Sequence, residues 1–177
     1  MHPTRFLSII AMAVMLTVNY ASAGRTDQGT VELGVNFNLD FDGPGGTTVD
    51  GGLLGGYYLS DGVLVGGSFS AYDDDYITRF AGFLTAEQNF ETGTPWIPYI
   101  GARLGLMHGK YKIAGESESA TALAAGLTGG IKYFLTESIA IDLSIDAVLA
   151  SDDVFLASGE VESYNISLKG GLRFFLF

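Results

Sequence analysis

Along Thr30–Phe41, T-V-E-L-G-V-N-F-N-L-D-F, apolar and polar positions alternate without a break. Val31, Leu33, Val35, Phe37, Leu39 and Phe41 take the odd places; Thr30, Glu32, Gly34, Asn36, Asn38 and Asp40 take the even ones. Successive side chains of a strand point to opposite faces, so the six apolar groups share one face, whereas a helix would scatter them. At about 11 residues the stretch exceeds the mode of roughly 5–6 in soluble sheets and matches the roughly 9–11 that a tilted strand needs to cross a bilayer.

The same alternation predicts seven further strands. They span about 51–59, 63–71, 76–89, 99–113, 121–134, 139–147 and 162–177. Their apolar faces carry, for example, Leu53, Tyr57 and Leu59; Val63, Val65 and Phe69; Ile100, Leu104 and Leu106; Ile141, Leu143 and Ile145; and Tyr164, Ile166, Leu168 and Leu172. Tight turns are expected at Ser60-Asp61-Gly62 and Thr136-Glu137-Ser138, with a longer connection over 90–98. Polar loops are expected at 42–50, 73–75, 114–120 and 151–161. An internal repeat supports the count. Y-Y-L-S-D-G-V-L-V-G-G-S-F (57–69) aligns without gaps on Y-F-L-T-E-S-I-A-I-D-L-S-I (133–145), two hairpins that belong at the same end of one up-and-down barrel.

Alternation fits both a soluble barrel, apolar face inward, and a membrane barrel, apolar face outward. Charge placement separates them. Glu32, Asp40, Arg79, Glu87, Arg103, Lys132, Asp142, Asp146, Lys169 and Arg173 all lie within strands on the polar face, five of each sign, and the apolar face has no mid-strand charge. A balanced set among small residues suits a narrow interior where ion pairs form away from lipid. Aromatic residues collect near strand ends: Tyr57, Tyr58, Trp96, Tyr99, Tyr133 and Phe134 at one end, and Phe41, Phe69, Tyr72, Tyr76 and Tyr164 at the other. Two interfacial girdles are expected from them.

The N-terminus adds a route. Met1–Arg5 is positively charged, Phe6–Val18 is an apolar run too short to span a membrane as a helix, and Ala21-Ser22-Ala23 is an A-x-A cleavage site. Residues 1–23 read as a secretory signal peptide and 24–177 as one barrel domain. The chain has no cysteine, which removes disulfides, thiolate nucleophiles and cysteine metal sites. A formal charge of −11 argues against nucleic acid.

L-K-G-G-L-R-F-F-L-F, ending in Phe177, resembles the aromatic C-terminal signal of bacterial outer-membrane barrels. P-Y-I-G-A-R-L-G (98–105) and G-G-I-K-Y-F-L-T-E (129–137) resemble strands of small OmpA/OmpX-like barrels, and the likeness covers about 29–177. It implies an all-β, eight-stranded antiparallel transmembrane barrel in the bacterial outer membrane, with both chain ends periplasmic. Its partners would be outer-membrane lipid and lipopolysaccharide, and the barrel-assembly machinery acting through the last strand. Phe177 falls on the Arg173 face; either the parity shifts near the end or Phe175–Phe177 lie at the periplasmic rim. No further periplasmic domain is expected after the last strand.

An interior this narrow is filled by its own side chains, so the charges are expected to act as a plug rather than an ion path. No cofactor or metal is expected: D-D-D at 73–75 lacks the spacing of a calcium loop. Some barrels of this kind are lipid A deacylases that use a His and a Ser at the outer rim. The one histidine after the leader is His108, but Leu106 and Lys110, not serine, lie two residues away; Glu116, Ser117, Glu118 and Ser119 stand in the next predicted loop. The expectation is a non-enzymatic protein serving envelope integrity or surface interaction through acidic loops. A narrow solute channel is the alternative, and a lipid A-modifying hydrolase a more distant one. Lys110 and Lys112 are the basic pair placed to meet lipopolysaccharide phosphate.

Overall fold

The computed structural model describes residues 25–40, 48–73, 77–113, 116–157 and 160–177. The signal-peptide reading of 1–23 lies outside them, as do Phe41, Asp42, Asp74, Asp75 and Tyr76. Among the described residues ten strands form: β1 (Val31–Asp40), β2 (Thr48–Ser60), β3 (Val63–Asp73), β4 (Ile77–Asn89), β5 (Trp96–Ile113), β6 (Glu116–Phe134), β7 (Ile139–Ala150), β8 (Phe155–Ala157), β9 (Glu160–Glu162) and β10 (Tyr164–Leu176). β1 to β7 and β10 close into an all-antiparallel eight-stranded barrel, each bonded to its neighbours in sequence, with β10 returning to pair β1. β8 and β9 make a separate small hairpin in the connection between β7 and β10.

Five strands run further than hydropathy suggests: β3 continues to Asp73, β5 starts at Trp96 so that Trp96–Pro98 is strand and not part of the expected 90–98 connection, and β7 continues to Ala150. β2 starts at Thr48, so Thr48–Asp50 is strand and not loop. β6 starts at Glu116, and Glu116–Ala120 pairs with Ile113–Gly109 in place of the expected loop at 114–120. The physical reason is that E-S-E-S-A alternates acid and hydroxyl: the period is two, but no apolar member reveals it.

The apolar parity faces outward. Leu53, Leu84, Leu104, Ile145 and Leu149 are all more than half exposed, while Glu32, Lys132, Asp142 and Asp146 are buried inside. Only a lipid solvent makes a continuous belt of exposed leucine and isoleucine stable. The interior is layered. Leu54, Tyr58, Leu64, Ile97, Phe134, Ala140 and Phe175, with Phe177 against them, fill the end where the short turns lie. Ala81, Phe83, Met107, Ala122, Ala124, Val148, Val154 and Phe155 fill the end nearer the loops, the last two supplied by the β7–β10 connection and β8. Charged side chains occupy the space between.

The girdle expectation holds only in part. Tyr57 and Trp96 are exposed, and Trp96 packs on Tyr133 at 4.3 Å between ring centres. Tyr58, Tyr99 and Phe134 instead point inward and are almost fully buried. Tyr72 lies under Arg79. Adjacent residues of one strand cannot both face lipid, so each aromatic doublet divides between belt and interior. Phe175 and Phe177 keep the parity of Arg173, and Phe175 stacks on Phe134 at 4.7 Å inside the turn end. Of the two expectations, the parity shift does not occur: Phe175 is buried in the interior cluster and Phe177 packs against it. The repeat also has a spatial meaning: Tyr58 and Leu64 of one hairpin meet Phe134 and Ala140 of the other in the same interior cluster.

Residues 25–30 run across the turn end. Gly62 N–H donates to Thr26 O at 2.8 Å, Thr26 Oγ1 to Glu91 Oε1 at 2.8 Å, and the Arg25 guanidinium sits 4.8 Å from the Phe134 ring centre. The β2–β3 turn needs glycine at 62 twice over. Its φ is +76°, and a Cβ there would stand 2.6 Å from Asn89 O.

Candidate functional site

Two groups of charges share the interior. In the group nearer the turns, Lys132 of β6 places Nζ 2.8 Å from Glu32 Oε2 of β1 and 2.9 Å from Glu87 Oε2 of β4. Tyr58 Oη donates to the same Glu32 oxygen at 2.7 Å. Arg173 of β10 binds Asp142 Oδ2 of β7 through Nε at 3.0 Å and Nη2 at 2.6 Å, and its Nη1 lies 3.2 Å from Glu32 Oε1. Tyr99 Oη closes this cluster with a 2.8 Å bond to Asp142 Oδ1.

The second group lies nearer the loops. Arg103 Nη2 is 2.5 Å from Asp146 Oδ2, and Lys169 Nζ bonds the same oxygen. Arg79 Nη2 is 2.6 Å from Asp50 Oδ2. The Arg103 guanidinium stacks over Phe83, 4.6 Å from the ring centre, where the charged layer meets the apolar one. A cavity of about 90 Å³ lies here, lined in part by Asn36, Arg79, Thr85, Arg103, Asp146 and Lys169. It has room for a few water molecules, and apolar clusters stand towards both ends of the barrel from it.

Of the ten residues expected inside, nine stand in these two groups. Asp40 ends β1 opposite Thr48, and its side chain is not among those described. Asp50, which composition assigned to an external acidic loop, is instead buried in β2 as the partner of Arg79. Extending the parity of Leu54 and Gly52 backward by two residues would have found it. Among the described residues the interior therefore holds five cations and five carboxylates: two against three near the turns, three against two near the loops. Burying such charges is costly, and only mutual pairing makes it tolerable.

The loop end is less acidic in its loops than expected, because Glu116, Glu118 and Glu160 belong to strands. Asp152 and Asp153 are exposed in the β7–β10 connection. Among the described residues no three His, Asp or Glu side chains group as a metal site. His108 is exposed on the outward face of β5, and its Nδ1 lies 2.8 Å from Thr121 Oγ1 of β6. A search for a hydroxyl along β5 misses this neighbour, because it comes from across the strand pair. The contact ties the imidazole to β6; no acid is seen on its other nitrogen among the described contacts.

Comparison with known proteins agrees with this architecture. A family model described as outer membrane protein beta-barrel domain matches residues 8–174. No curated protein matches the chain. Among solved structures, the N-terminal β-barrel domain of Pseudomonas aeruginosa OprF is similar with a TM-score of 0.65 and 22% identity, over 84% of this chain and 98% of that one. Neisserial surface protein A is similar with a TM-score of 0.60 and 18% identity, over 82% and 95%. Ail, the attachment invasion locus protein of Yersinia pestis, is similar with a TM-score of 0.53 and 15% identity, over 84% and 99%.

Proposed function

The chain belongs to the outer membrane protein β-barrel domain family, and from that premise we propose that it is a non-enzymatic integral barrel that supports the envelope and presents a polar rim to the outside. The observation that carries this reading is the interior: among the described residues ten paired charges fill the space between two apolar layers. Such a barrel contributes by its stability in the membrane and by its surface. In this reading both chain ends and the short turns at 61–62, 90–95 and 135–138 are periplasmic, and the connections after β1, β3, β5 and β7 are external. Export uses residues 1–23, and assembly uses the β10 strand with the Phe177 that follows it. The resemblance in fold to a surface protein and an attachment protein supports a surface role without naming its partner.

The test has two arms. Protein taken from outer-membrane fractions should migrate differently before and after boiling, and cells lacking it should admit a hydrophobic dye faster than cells in which the gene is restored. Protein recovered only from soluble fractions, or dye uptake and surface attachment both unchanged by the deletion, would count against the reading.

A further inference from the structure

The interior cavity is charged as well as polar. Of the described residues that line it, Arg79, Arg103, Lys169 and Arg173 are cations and Asp50, Glu87 and Asp146 are carboxylates, so its wall carries one positive charge in excess. The two groups of interior charges balance only when added together. Glu87 is held by Lys132, and Arg173 by Asp142 and Glu32, all on the turn side. On the loop side Arg103 and Lys169 share one acceptor, Asp146 Oδ2, and among the described residues neither pairs with another carboxylate. An ammonium carries three N–H groups and a guanidinium five, so one shared oxygen leaves most of them unanswered.

Two buried donors stand at the same place. Arg103 Nε is buried and has no partner among the described residues, and the same is true of Thr85 Oγ1. Thr85 is only 9% exposed and lies directly opposite Arg103 in the register of β4 and β5. Both residues line the cavity, as do the buried hydroxyls of Ser144 and Ser167. Arginine and lysine nitrogens only donate, and a hydroxyl turns its proton towards whatever acceptor is nearest. The wall is therefore rich in donors and short of acceptors.

We propose that this cavity binds one monovalent inorganic anion of halide size, held by Arg103, Lys169 and Thr85. Charge selects an anion over water. Water would satisfy the donors but not the excess charge, and an uncompensated charge is costly between two apolar layers. Size and valence select a halide: it is close to a water molecule in bulk, the space of about 90 Å³ admits it, and a single negative charge matches the excess. The anion acts as a structural ligand. β5 and β10 are separated by β6 and β7 on the short way round, so an ion shared by Arg103 and Lys169 ties opposite walls together alongside Asp146.

The experiment follows urea unfolding of the folded barrel in micelles in sodium bromide, sodium chloride or sodium gluconate at equal ionic strength, gluconate being too large to enter. The wild-type midpoint should rise with halide concentration and stay level in gluconate, because a ligand of the folded state stabilises it by mass action. Lys169→Met should weaken the apparent halide affinity by about tenfold or more. Thr85→Asp places a fixed carboxylate beside Arg103, so its midpoint should be the same in halide as in gluconate and no lower than that of the wild type in gluconate. Each variant is checked for its fold by its shift in gel mobility on boiling; if Lys169→Met does not fold, Thr85→Asp carries the comparison. Crystals grown in bromide locate the ion, with one anomalous peak expected within hydrogen-bonding distance of Arg103 and Lys169. A halide response equal in wild type and Thr85→Asp overturns the site, as does bromide found only on the outer surface or water alone in the cavity.

Discussion

Lys132 Nζ lies 2.8 Å from Glu32 Oε2 although β6 and β1 are separated by β7 and β10 on the short way round the barrel. The pair spans the interior, and the same ammonium holds Glu87 on a third strand. Replacing it by a neutral side chain takes the ammonium from buried Glu87 and leaves buried Glu32 to Arg173 and Tyr58. Lys132→Met should therefore destabilise the barrel by about 3–5 kcal/mol. Urea unfolding in micelles, followed by the emission of the single tryptophan, Trp96, measures it. Adding Glu32→Gln to that variant should recover part of the loss; a Lys132→Met protein as stable as wild type would show that the charges are not buried.

Orientation is tested on β10. Ser167 is buried, while Leu168 pairs with the exposed Ile145 on the lipid parity. Leu168→Arg should cost about 2–4 kcal/mol near the bilayer midplane. A fluorescent probe at 168 should be quenched by brominated lipid and one at 167 should not. The opposite result would turn the barrel inside out.

The β2–β3 turn gives a backbone prediction. Gly62→Ala must accept a positive φ and a 2.6 Å approach to Asn89 O. The expected loss is about 1–3 kcal/mol, visible as a lower urea midpoint. Gly93 also has positive φ, at +69°, but a Cβ there meets nothing within 4 Å, so Gly93→Ala should cost less.

Conduction separates the two main readings of the interior. Purified protein in planar bilayers should show no steady current. Stable single-channel steps that change when Arg79 or Arg103 is neutralised would move the channel reading ahead.

Catalysis is tested at His108. Lipid A from cells overexpressing the protein should keep its acyl pattern by mass spectrometry. Loss or gain of one acyl chain, abolished by His108→Ala and by Thr121→Ala, would make the imidazole–hydroxyl contact a reactive one.

Much of this architecture was legible because one physical rule, the alternation of side chains across a strand, governs nearly every residue. Leu33, Leu104 and Ile145 announce a lipid face, and Lys132 and Arg173 announce an interior, by position alone. The rule failed where apolar residues were missing from the pattern, as in Glu116–Ala120, or where composition was allowed to outweigh parity, as at Asp50. Parity also divides the doublet Tyr57-Tyr58, which reading by aromatic clustering had joined. The β8–β9 hairpin was not legible: strands of three residues carry no period, and Val154 and Phe155 are fixed by the interior they cap. Nor could the sequence say which carboxylate each cation holds, since partners such as Lys132 and Glu32 are 100 residues apart.

Arg173 sits in the last strand and grips a carboxylate on each of the two strands that flank it, Glu32 of β1 and Asp142 of β7. β1 and β10 are the first and last barrel strands, so their pairing is the step that closes the cylinder. A slip of one residue there would turn β10 over, apolar side inward. A slip of two keeps the faces correct and would escape any test based on hydropathy, yet it carries the guanidinium roughly 7 Å along β1. Glu32 would then lose it while still held in the interior. Closure in the wrong alignment is thereby penalised by electrostatics at the seam itself, and the barrel proofreads its own last joint.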